Sequence, residues 1–133
     1  MKRIILGALA AVSVAATLSA CSGVKNYANV DELKTAYVAA GGDCAKGQKM
    51  DLSAISKINV KLKGLEGMTC TADVALFHTT SKASRDALLN LFAGAAATNK
   101  VTLKWVYGET WLVGGTQLDP TKFADKLGGS LKK

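Results

Sequence analysis

The sequence predicts an α+β domain: a mainly antiparallel sheet of about four strands with three helices packed on it, in the order α-β-β-α-β-β-α, and one disulfide. Three observations point there. Apolar residues at helical spacing alternate along the chain with pairs of short, period-two apolar runs. Those pairs are joined by glycine-containing turns, which imply hairpins and hence antiparallel pairing. The 133-residue chain carries three cysteines, Cys21, Cys44 and Cys70, enough for one intrachain bond with a sulfur left over.

The leftover sulfur is explained by the first residues. Lys2 and Arg3 precede an apolar or small run, Ile4 to Leu18, which is shorter than the roughly 20 residues that a bilayer span needs. A basic start, a short apolar core and a small-residue exit describe a secretory signal peptide. Its end, Leu18-Ser19-Ala20-Cys21, resembles the bacterial lipobox. That resemblance implies a diacylglyceryl group on Cys21 and cleavage just before it. The other reading is an ordinary secreted protein cut near Thr17-Leu18-Ser19, which would leave an odd thiol in an exported chain. The expected organisation is a lipoprotein signal peptide at 1–20, a lipidated cysteine and tether at 21–29, and one α+β domain at 30–133. Cys44 and Cys70 are then the two thiols left in an oxidising compartment, and they pair. They lack the C-x-x-C spacing of catalytic dithiols.

Along the expected domain, Asn29 with Glu32 three residues later caps a helix from Asp31 to Ala40, whose inner face is Leu33, Ala36, Tyr37 and Ala40. Gly41-Gly42 stops it. Ile58, Val60 and Leu62 alternate with Lys57, Asn59, Lys61 and Lys63, a pattern that predicts a half-buried strand with a basic outer face. Lysines there would deter edge pairing or form a cationic stripe for an anionic partner. Gly64-Leu65-Glu66-Gly67 reads as a turn into a central strand, Thr71 to His78, apolar on both faces. Ser81 caps a second helix reaching Ala97, with Leu88, Leu91, Phe92, Ala95 and Ala96 as its stripe. Val101–Tyr107 and Thr110–Val113 form a hairpin. A two-residue turn at Gly108-Glu109 opposes Val106 to Trp111 and sends Trp105 and Trp111 to opposite faces; a three-residue turn would send both to one face. One indole is expected in the core and the other at an edge or groove. Asp119 caps the last helix with Pro120 first, Leu118 and Phe123 as a staple, and Gly128-Gly129 as its stop; the tail from Ser130 is expected to be loose.

Charge and motif narrow the function classes. The whole chain is +7; without the leader, fifteen basic residues stand against ten acidic, and nearly all the positive charge is lysine, with Arg85 the one arginine beyond the leader. Lysine is a solvated point charge, a poor bidentate reader of phosphate, and no nucleic-acid motif appears, so nucleic acid is not an expected partner. The basic balance suits a membrane surface, an anionic envelope component or another envelope protein. The lone histidine, His78, cannot make a multi-histidine metal site. As a catalytic base it would need a hydroxyl and an orienting acid, and Asp73 on the same strand points away. No phosphate loop, zinc spacing or calcium loop occurs. No cofactor, metal or catalytic residue is expected. The candidate binding surface is Trp111, Trp105, Lys57, Lys61 and Lys63.

Four short stretches carry a resemblance to small lipoproteins of high-GC Gram-positive bacteria and their phages: a helix ending Ala-Gly-Gly before a cysteine (Ala39 to Cys44), a cysteine opening a strand (Cys70 to Phe77), Gly108-Glu109-Thr110-Trp111-Leu112-Val113, and a closing helix ending Leu127-Gly128-Gly129. The resemblance implies fold and address and transfers no catalytic residue. The expected protein is a non-enzymatic, monomeric binding module on the extracytoplasmic face of the cell membrane, held by lipid on Cys21. The alternatives are a phage or prophage superinfection-exclusion lipoprotein and a small hydrolase using His78.

Overall fold

The computed structural model describes residues 25–132. The expected leader at 1–20 and the lipidation site Cys21 lie outside the described residues. The fold is α+β, as the sequence predicts, with an antiparallel sheet and the Cys44–Cys70 disulfide.

The sheet has six strands rather than four. They are β1 (Gln48–Lys49), β2 (Glu66–Thr69), β3 (Val74–His78), β4 (Lys104–Tyr107), β5 (Trp111–Gly115) and β6 (Ser130–Lys132). Their order is β1-β2-β3-β5-β4-β6, every pair antiparallel. The helices are α1 (Val30–Ala39), α2 (Ser53–Ile58), α3 (Lys82–Asn99) and α4 (Pro120–Leu127), with a 3-10 turn at Val60–Leu62.

Both faces of the sheet are covered, so there are two cores. On one face α1 and α4 bury Val30, Leu33, Tyr37, Phe123 and Leu127 against Leu76, Val106, Trp111 and Val113. On the other, α3 and the α2–3-10 segment bury Leu62, Leu88 and Leu89 against Phe77, Trp105 and Leu112. Alternate residues of β3 and β5 feed the two cores, as strand periodicity requires. This is why both strands read as nearly continuous apolar runs.

The helix ends are built from the signals in the sequence. Asn29 Oδ1 accepts from Glu32 N at 2.9 Å, and Glu32 Oε2 accepts from Ala28 N at 2.7 Å, a reciprocal cap. Ser81 accepts from Ser84 N, and Asp119 from Lys122 N. Leu118 and Phe123 are both buried where the staple puts them. Gly128 ends α4 in the left-handed region, at φ +69°.

Four expectations are corrected. The Lys57–Lys63 stretch is not a strand: it is the end of α2 followed by the 3-10 turn. Asn59 breaks the two, its backbone extended and its side chain accepting from Lys61 N at 3.0 Å. Second, Glu66 and Gly67 are strand, paired with His78 and Phe77. Gly67 is there for space, not for a turn, since a Cβ would lie 2.7 Å from Leu52 Cδ1 and 2.8 Å from Met50 Cε. Third, the tail from Ser130 is not loose but pairs as β6 with β4, Leu131 opposite Val106. Fourth, the apolar stripe of α3 runs through Arg85, Leu88, Leu89 and Phe92, while Leu91 and Ala95 face solvent.

The tryptophan hairpin keeps a two-residue turn, but at Glu109-Thr110, with Gly108 N donating to Trp111 O at 3.0 Å. Val106 therefore opposes Val113, not Trp111, and Trp105 opposes Gly114, not Leu112. The shift is by two residues, so every side chain keeps its face and the indoles still point to opposite sides.

Candidate functional site

The two indoles of the expected binding surface are interior. Trp111 is 0% exposed and Trp105 is 6% exposed. Each lies against a glycine: a Cβ on Gly114 would meet the six-membered ring of Trp105, and one on Gly108 would meet the indole of Trp111. Trp105 also stacks on Phe92 at 5.2 Å between centroids. Trp111 is fully enclosed, and Trp105 reaches solvent only as part of the wall of an open cleft of about 270 Å³, with Leu103, Gly114 and Gly115. Their burial follows from the two-sided sheet, which puts Trp111 in one core and Trp105 in the other.

Trp111 has a second task. Its Nε1 donates to Lys25 O at 2.8 Å, and its ring meets Tyr27 edge-on at 5.4 Å. Lys25 N donates to Gly128 O, and the Tyr27 hydroxyl donates to Leu127 O at 3.0 Å. Burial pushes the Tyr27 phenol above its ordinary value. The part of the expected tether that the structure describes, 25–29, is therefore docked on the end of α4 and on the start of β5.

His78 continues this row. Its Nε2 lies 2.7 Å from Tyr27 O, and its Nδ1 lies 3.7 Å from Glu66 Oε1. Glu66 Oε1 also accepts from Val30 N at the first turn of α1, where a carboxylate suits the helix dipole. The nearby hydroxyls are engaged elsewhere: Ser81 Oγ with Ser84, and Thr79 Oγ1 with the carbonyls of Ser81 and Thr110. The sole histidine thus ties β3 to the amino-terminal segment, and no serine or threonine hydroxyl is its partner among the described residues.

The three lysines are where the surface is. Lys57, Lys61 and Lys63 are exposed, and among the described residues none has a carboxylate within salt-bridge distance. They surround the two most exposed large apolar side chains, Ile58 at 86% and Val60 at 83%. Leu62, the third apolar residue of the alternation, is buried against α3. The segment is held from below: Ser84 Oγ donates to Lys61 O, Thr80 Oγ1 to Lys63 O, and Ser56 Oγ to Leu62 O at 3.0 Å. At its start, Ser53 donates through hydroxyl and backbone to Asp51, which holds that carboxylate below its usual range. The tip is a fixed projection that presents isoleucine, valine and lysine to solvent.

Two features escape a reading of the sequence. Arg85 is 7% exposed; its guanidinium lies over the Tyr107 ring at 4.7 Å and donates to Gly108 O and to Asp86. The signal was available, since Arg85 stands three residues before Leu88 on the apolar stripe of α3. The second is a cleft of about 430 Å³ between Thr102–Lys104 and Gln117–Thr121, floored by Leu118 and flanked by half-exposed Leu131. Three separate chain segments form it, so no local pattern could announce it. Among the described residues no set of histidine, cysteine, aspartate or glutamate gathers as metal ligands, and no helix is long and apolar enough to cross a membrane.

No protein-family model, curated protein or solved structure matches this chain.

Proposed function

We propose that this is a membrane-anchored extracytoplasmic lipoprotein whose domain is a non-catalytic binding module, held by lipid on Cys21. The observation that carries the reading is the bond between Cys44 and Cys70. A disulfide across 26 residues suits an oxidising compartment. It also consumes two of the three sulfurs and leaves Cys21 as the odd one, at the last position of Leu18-Ser19-Ala20-Cys21. A thioether there accounts for it. Two acyl chains on one residue hold firmly, at about 0.8 kcal/mol per buried methylene.

The module reading rests on what the domain presents: a stapled fold, a partly buried and hydrogen-bonded histidine, and a projecting apolar and basic tip. The test is the mass of the purified protein and its fractionation. The expected N-terminus is Cys21 carrying a diacylglyceryl group, and Cys21→Ser should move the protein out of the lipid-modified membrane fraction. An N-terminus at another residue, or Cys21 unmodified, overturns the anchor.

A further inference from the structure

We infer that the Lys57–Lys63 tip is a lipid-facing surface, which seats on an anionic bilayer with Ile58 and Val60 entering the boundary between headgroups and acyl chains. This rests on Cys21 being the anchor.

The sheet register places the tip and the Lys25–Tyr27 segment at one end of the molecule. Glu66, His78 and Trp111 form a row across β2, β3 and β5. Lys25 is bonded to the Trp111 indole and Tyr27 O to His78, so the chain enters the fold at that row. The 3-10 turn and Lys63 lead directly into Glu66, and Lys61 and Lys63 are bonded to Ser84 and Thr80, just after His78. Tip and entry thus lie on opposite faces of the sheet at the same end. From Cys21 to Lys25 the chain can reach at most about 14 Å. A lipid on Cys21 therefore brings this end, and not the disulfide end, to the bilayer.

The chemistry of the tip matches that neighbour. Two nearly fully exposed β-branched side chains are costly in water, and three lysines around them find their counter-charge in acidic headgroups. Lys25, Lys82 and Lys126 add positive charge at this end, against the carboxylates of Glu32, Glu66, Glu109 and Asp125, while Asp86 is paired with Arg85; with the three tip lysines the balance stays positive. Two side chains are too little for a protein interface, which needs about 800 Å² on each partner. They are enough to orient a domain that a lipid already holds at the surface.

The experiment is hydrogen exchange on the full-length protein, purified with its lipid and reconstituted into vesicles of phosphatidylcholine alone or mixed with phosphatidylglycerol. Amides of residues 57–63 should exchange about tenfold more slowly in the mixed vesicles, with Cys70–Asp73 at the opposite end unchanged. Ile58→Ser/Val60→Ser, at exposed positions that leave the cores intact, should abolish the slowing, and Lys57→Gln/Lys61→Gln/Lys63→Gln should abolish its dependence on phosphatidylglycerol. Equal exchange in both vesicles, or slowing that appears only when envelope proteins are added, overturns the proposal. The acyl mass on Cys21 in the same samples separates the two readings: lipid present with unchanged exchange defeats the tip, and lipid absent defeats the anchor.

Discussion

At Gly114 the chain has no room for a methyl group, because the Trp105 indole lies where a Cβ would be. Gly114→Ala must push the ring off Phe92 and out of the second core. It should cost about 1–3 kcal/mol, the usual range for overpacking, read as a lower denaturant midpoint with altered tryptophan emission. Arg85 is the other single residue on which a junction depends. Arg85→Ala leaves the Gly108 carbonyl without its charged donor and Tyr107 uncovered, and should cost about 2–3 kcal/mol. Arg85→Lys should recover only part, since an ammonium cannot reach Gly108 and Asp86 in one fork. Tyr27 gives a prediction with a sign. Burial raises its phenol above 10.0, as it does for Tyr37, where Asp43 adds to the rise. The unfolded chain sheds these protons first, so stability is complete below about pH 10 and falls as pH climbs from there toward the raised values. Tyr27→Phe should remove its share of that alkaline loss and cost about 1 kcal/mol at neutral pH through the lost bond to Leu127. Denaturant midpoints measured from neutral to alkaline pH check both. None of the three residues shows its role in the sequence by type alone. A glycine in a strand, an arginine on a stripe and a tyrosine in a polar stretch acquire meaning only from partners between 9 and 100 positions away.

Among the elements, what could be read early is what is locally determined. The caps at Asn29, Ser81 and Asp119 and the stop at Gly128 fix helix bounds to within a residue or two, because each satisfies its own helix end. The stretch from Lys57 to Lys63 shows the opposite case. Its period-two alternation is real, but Ile58 and Val60 point to solvent and only Leu62 packs inward, so the pattern is not that of a buried face. Local hydrogen bonding at Asn59 overrides it. Similarly β1 and β6, of two and three residues, are too short to carry any period and exist because β2 and β4 offer them an edge. That makes β6 a clean test. Removing residues 130–133 should bare the edge of β4, lower stability by about 2 kcal/mol from its lost ladder bonds, and raise self-association. Thermal melting and sedimentation read both.

For the whole molecule, the disulfide is the one covalent tie across elements: it joins the exit of α1 to the turn between β2 and β3, with the two Cα atoms 4.3 Å apart. Cys44→Ser/Cys70→Ser should cost about 3.5 kcal/mol on the chain-entropy account, measured by comparing the variant with the oxidised protein in urea. The general class of the fold was legible because periodicity and hairpin turns suffice to set it. The two-core layering was not, since it depends on α1 and α4 choosing one face and α3 the other, which no residue of a helix declares. The opposite end from the disulfide is closed without covalent help, by the Lys25–Tyr27 segment lying across Trp111, His78 and the last turn of α4. That arrangement has a mechanical consequence. A tug on the chain ahead of Lys25 is delivered to the two middle strands of the ribbon at once, so drag on the domain is shared by the strongest part of the molecule instead of unzipping a margin.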